Sequence, residues 1–95
     1  MQITRGESIF LDFVFQKGQI PDGYEAGCFI SKNGNSVFDK ALDVDDNAEI
    51  FLLRITSNDT LALEDGDYML NIFVQNTAIG YKDFVMQEKL VVKGF

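Results

Sequence analysis

Apolar and polar residues alternate along most of this chain, and the alternation has the period of a β-strand. From Ser8 to Gln16 the sequence reads SIFLDFVFQ. Ile9, Leu11, Phe13 and Phe15 share one face, and Ser8, Phe10, Asp12, Val14 and Gln16 share the other. A period of two with one wholly apolar face predicts a strand packed on a core. Phe10 and Val14 leave the second face only partly polar, so that side also offers surface for a cover. Ahead of it, Met1 to Thr4 suits a short first edge strand, and Arg5-Gly6-Glu7 a turn.

Residues 17–23, with two glycines and the only proline, predict a loop. Tyr24 to Lys32 is the next strand, with Ala26, Cys28 and Ile30 on one face and Glu25, Gly27, Phe29 and Ser31 on the other. Asn33-Gly34 follows, the dipeptide that a two-residue type I′ hairpin requires because both central positions take positive φ. Ser36 to Val44 returns antiparallel, anchored by Phe38, Leu42 and Val44. The acidic stretch from Asp43 to Asn47 reads as a turn. Ala48 to Thr56 is apolar on both faces, which predicts a central strand. Ser57 or Asn58 caps a single helical turn leading to Leu61 and Leu63. Tyr68 to Gln75 is a strand with Tyr68, Leu70, Ile72 and Val74 in phase. Asn76 to Lys82 is a hairpin loop containing Gly80. Asp83 to Val92 is the last strand, interrupted near Gln87, with Phe84, Met86, Leu90 and Val92 in phase.

Six or seven short strands, short connections and no substantial helix predict an antiparallel β-sandwich or small barrel, formed as one domain over residues 1–95. Within it, the stretch LEDGDYMLNIFV from Leu63 has structural duties at each position. Leu61 and Leu63 plug the core as the chain crosses between sheets. Gly66 supplies a positive φ. Tyr68 stands where sandwich domains tie a corner to nearby backbone through a tyrosine hydroxyl. Glu64, Asp65 and Asp67 remain as solvated charge.

Composition narrows the chemistry. Of 95 residues, 46% are hydrophobic and nine are Phe, enough for a folded core. Fifteen acids against eight bases give a net charge of −7, and no two basic residues are adjacent. That balance argues against nucleic acid, whose binding needs a basic face. Apolar runs stop at four or five residues, too short to span a membrane. The opening MQITRGESIF lacks the long apolar stretch of a secretory signal, which points to folding in a reducing cytoplasm.

There is no histidine, and Cys28 is the only cysteine. Zinc and haem ligands of the usual kind, an intrachain disulfide and a Ser-His-acid triad are therefore excluded. Beside Ala26 and Ile30, Cys28 reads as a small buried hydrophobe. Asp43, Asp45 and Asp46, with Asn47 and Glu49, offer hard oxygens suited to calcium, but the stretch lacks the glycine and terminal glutamate of an EF-hand loop. A solvated turn explains them more simply, and no metal, cofactor or catalytic residue is assigned. Gly66 and Gly80 lie outside any phosphate-loop pattern. What remains is surface: Phe10, Phe29, Phe51, Phe73 and Phe95 fall opposite the core stripes. Either one or two strands are out of phase, or Phe10, Phe29, Phe51 and Phe73 mark an interface.

Two segments carry a resemblance. Ile3, Arg5, Gly6, Glu7 and Ser8 match an opening of the form hydrophobic-x-[RQ]-G-[DE]-[ST]. Leu63, Gly66, Tyr68, Leu70 and Ile72 match a corner L-x-x-G-x-Y-x-[LF]-x-[IV]. Together the chain resembles the immunoglobulin-like β-sandwich domains of tailed-phage virion proteins, closest in pattern to N-terminal domains of baseplate upper proteins and tail- or head-fibre components. The resemblance implies a non-enzymatic module that joins other virion subunits or self-associates, made in a bacterial cytoplasm and ending in the virion. The alternative is a bacterial immunoglobulin-like module that binds carbohydrate or a cell-surface partner, with Tyr24 or Tyr81 at the contact; the lack of Trp weighs against a sugar platform.

Overall fold

A computed structural model describes residues 1–14, 24–45 and 50–94. The expected loop over residues 17–23, and the expectations for Phe15, Gln16, Asp46, Asn47, Ala48, Glu49 and Phe95, lie outside the described residues. So do the side chains of Val14, Val44 and Asp45. In chain order the elements are β1 (Gln2–Thr4), β2 (Ile9–Val14), β3 (Glu25–Lys32), β4 (Asn35–Ala41), β5 (Asp43–Asp45), β6 (Ile50–Ile55), α1 (Ser57–Leu61), β7 (Gly66–Asn76) and β8 (Tyr81–Lys93). They form a five-stranded sheet, β1-β8-β7-β3-β4, packed on a three-stranded sheet, β2-β6-β5. This is a two-sheet β-sandwich.

The seven expected strands are all present, but one is divided. At Leu42 the chain leaves the larger sheet, and β5 joins the smaller one by pairing with β6. Leu42 is buried at this crossing, and its amide donates to the Ala26 carbonyl over 3.0 Å. Asp43 and Asp45 therefore sit in a strand, not in the acidic turn expected of them. Pairing with a central strand overrides the turn preference of Asp. The prediction that 48–56 is central holds for β6, which lies between β2 and β5.

One pairing departs from the antiparallel expectation. β1 lies parallel to β8, with Ile3 opposite Val92. No hairpin joins these strands, so loop geometry does not fix their relative direction. The N-terminal ammonium donates to the Lys89 carbonyl over 3.0 Å and lies 3.3 Å from Glu88, which fastens the start of β1.

The Asn33-Gly34 hairpin and the tyrosine tie take the form expected of them. Asn33 and Gly34 have φ of 53° and 81°, as a type I′ turn demands. The second hairpin loop is shorter than the expected Asn76 to Lys82: residues 77–80 turn, and Asn76, Tyr81 and Lys82 are paired in β7 and β8. The Tyr68 hydroxyl donates to the Glu64 carbonyl over 2.7 Å, the tie expected of a tyrosine corner. Gly66 has a positive φ of 153°. Leu63 is buried, whereas Leu61 is 39% exposed and does not plug the core. The helical turn is capped by Thr56, one residue before the expected cap. Its side chain accepts from the Asp59 amide, and the Asp59 carboxylate accepts from the Thr56 amide over 2.9 Å.

The core is one apolar cluster between the sheets. Ala26, Cys28 and Ile30 meet Tyr68, Leu70 and Ile72 from the larger sheet, and Phe51, Leu53 and Ile55 close it from β6. Phe51, only 6% exposed, is a correction: the expected outward face of β6 is its inward face. With Ile50 and Leu52 also apolar, the alternation alone had two solutions. Arg54, whose guanidinium requires the outer side, selects the observed one.

Candidate functional site

The four phenylalanines expected at one interface occupy three places. Phe51 is in the core. Phe10 is 58% exposed on the outer face of the smaller sheet, where the Arg54 guanidinium lies 4.9 Å from its ring centroid and pairs with Asp12 over 2.8 Å. Phe29 and Phe73 come together on the outer face of the larger sheet, and a residue assigned to the core, Phe84, joins them.

A bulge accounts for Phe84. Ile72 pairs with Met86 and Phe73 with Phe84, so Val85 is an extra residue in β8. Met86 packs against the core, and unbroken alternation would turn Phe84 inward with it. The inserted residue reverses the phase, and Phe84 emerges 44% exposed on the outer face. The expected interruption near Gln87 thus falls at Val85.

The three rings form a cluster with centroids 6.0 to 6.3 Å apart, tilted or edge-on to one another. Such geometry sets the positive edge of one ring against the negative face of another. The Lys82 ammonium lies 4.2 Å from the Phe73 centroid, and 5.7 and 5.9 Å from those of Phe84 and Phe29. A cation here is held by three ring faces while its head stays at the surface.

Gly27 makes room for this cluster. It pairs with Phe73 across the β3–β7 ladder, and a Cβ at Gly27 would stand 2.6 Å from the Phe73 ring tip. The ring thus lies over bare backbone, the aromatic cover of a strand glycine. Beside it, between Gly27, Ala41, Phe73 and Gln75, the face sinks into a depression of about 210 Å³ with Glu25 and Asp39 at its rim.

Polar groups fix the floor next to the rings. Asn71 is 2% exposed although it points away from the core. Its amide nitrogen is 3.2 Å from the Ser31 hydroxyl and from the Met69 carbonyl, and its oxygen accepts from Gln87 over 3.0 Å. At the same end of the sheet as Lys82, the Tyr24 and Tyr81 rings meet edge-on with centroids 5.5 Å apart.

Two other groups matter for chemistry. Burial pushes the Cys28 thiol up to about 11, opposed in part by a backbone hydrogen bond and the charge of Lys40. A thiol so placed is a poor nucleophile near neutrality. The Asp59 carboxyl is held below its ordinary value, first by the Thr56 amide. Among the described residues no cluster of three or more acids, histidines or cysteines is arranged to hold a metal ion. Among them, too, no helix is long and apolar enough to cross a membrane.

What the sequence missed was the grouping: Phe84, Lys82 and Gly27 belong with Phe29 and Phe73. Only the strand register brings them together. No protein-family model matches the chain, and no curated protein matches it.

Proposed function

We propose that the protein is a non-enzymatic structural module, immunoglobulin-like in kind, that docks other proteins through the outer face of its five-stranded sheet. Its setting, on the strength of the sequence resemblance, is a phage virion, as an assembly or attachment component of the baseplate, tail or head. The observation that carries the docking reading is the exposed ring of Phe84. A bulge interrupts a long ladder to turn that ring out beside Phe29 and Phe73, and bulges of this kind re-aim side chains for use. Interfaces favour clustered aromatics with a charged rim. The absence of histidine and the raised thiol of Cys28 support a binding role over a nucleophilic one.

The Tyr24–Tyr81 pair, at the end of the sheet where Gln75 donates to Glu25, favours a second reading in which a sugar stacks there. Glycan binding abolished by Tyr81→Ala would select it.

The virion reading is tested by probing purified phage particles from the source culture with antibody against the domain. The chain is expected in the particles, and a folded Phe84→Glu variant supplied in its place is expected to be lost from them. Absence of the chain from particles, or equal incorporation of the variant, overturns the proposal.

A further inference from the structure

The outer face of the larger sheet is unlike on its two sides. Across one level of the sheet run Glu25, Gln75 and Lys82, on β3, β7 and β8 in turn. Gln75 donates to Glu25 over 2.8 Å, so the row goes from acid through amide to base. The neighbouring row holds Ala41, Gly27, Phe73 and Phe84. Here Ala41 on β4, beside the Phe73 ring that covers Gly27, leaves the depression, and the far flank on β8 carries the protruding ring. Each flank has what the other lacks, in charge and in shape.

We propose that this face binds a second copy of the chain, with a two-fold axis lying in the interface along β7. The inference rests on the docking reading above and names its partner. Rotation about such an axis keeps each row at its own level and exchanges its flanks. Lys82 then meets the partner's Glu25, and Phe84 packs at the partner's depression, between its Phe73 ring and Ala41. The same operation repeats both contacts, as an isologous interface must. The fit is adequate in volume: the depression holds about 210 Å³, and a cavity of roughly 150 Å³ accommodates a benzene ring. Two sheets stacked in this way keep their strands within about 30° of each other, as in aligned sandwich packing. The net charge of −7 opposes association at long range, and in about 0.15 M salt that repulsion fades beyond roughly 8 Å. Contacts at the face decide the outcome.

Reciprocal charge reversal tests the geometry. The full chain, Lys82→Glu and Glu25→Lys are compared by sedimentation equilibrium in physiological salt, with circular dichroism to verify folding. The parent is expected to dimerise. Each reversal alone sets like charges together twice and is expected to weaken self-association about tenfold or more. Mixing the two variants is expected to restore a dimer, because the base introduced at position 25 meets the acid introduced at position 82, and the native Lys82 and Glu25 meet in the other contact. A parent that stays monomeric through the millimolar range, reversals that leave its dimer unchanged, or a mixture no tighter than the variants apart would each overturn the proposal. A monomeric parent whose Phe84→Glu variant is still lost from particles retires the second copy as partner and leaves the docking face in place. A charge-dependent dimer whose Phe84→Glu variant still enters particles does the reverse.

Discussion

The hydroxyl of Thr60 donates to the carbonyl of Glu7 over 2.8 Å, joining α1 to the turn between β1 and β2. The same oxygen accepts from the Gly6 amide over 3.1 Å, and Thr60 is fully buried. Arg5 adds a guanidinium bond to the Leu61 carbonyl at 2.8 Å. Thr60→Val keeps the shape and strands a buried donor and acceptor. It is expected to destabilise the fold by about 1–3 kcal/mol, with Thr60→Ser losing less. Equal urea midpoints for Thr60→Val and the parent would show that water replaces the hydroxyl.

Tyr68→Phe removes the 2.7 Å bond to Glu64 at a residue otherwise sealed in the core. A loss of about 1–3 kcal/mol in urea unfolding is expected. An unchanged midpoint would mean that ring packing alone holds the corner.

Phe51 and Phe10 offer a paired comparison, since one faces the core and the other solvent. Phe51→Ala is expected to cost about 3–5 kcal/mol, as large-to-small core changes do. Phe10→Ala loses an exposed cation–π contact of about 0.5–1 kcal/mol. Similar losses for the two would contradict the observed phase of β2 and β6.

The Asp59 carboxylate gives the fold an acid-sensitive contribution. Its folded pKa lies below the ordinary 3.8, so the charged form is favoured in the native state. The associated stability is therefore complete above the unfolded value and disappears as pH falls through 3.8 toward the lower folded value. Asp59→Asn should lie furthest below the parent at neutral pH, with the gap closing in acid. A gap independent of pH would show that the charge is not what holds the capping box.

Cys28 makes the opposite case at the alkaline end. With the folded thiol near 11 against an ordinary 9.0, native protein at pH 8 should react with a thiol reagent far more slowly than protein in urea. Its effect on stability is present below pH 9 and declines as pH rises toward 11. Rapid native labelling would place the thiol outside the core.

How far the sequence could be read depended on the range of the signal. Asn33-Gly34 and the Gly66–Tyr68 corner were legible because their chemistry is carried by residues a few positions apart. β5 was not, because its two acids prefer turns and only the non-local β6 ladder makes them a strand. Phe84 was misplaced because a bulge changes phase without changing composition, and the bulge is defined by the partner strand. Phe29 and Phe73 were correctly expected off the core, yet nothing in their spacing announced Lys82 or Gly27 as neighbours. A surface assembled from three strands becomes visible only after their register is known.

The parallel pairing of β1 with β8 also orders events in time. Gln2 must find Val91, at the far end of the domain's sequence. Bacterial and other ribosomes add roughly 5–20 residues per second, so β1 waits several seconds for its partner. Local hairpins such as β3–β4 and β7–β8 can close before then, but the larger sheet gains its last strand only after β8 has emerged. Contacts of such high sequence separation are slow to form. Of the strands in this sheet, the one made ahead of its neighbours is thus the one that cannot pair until β8 is made.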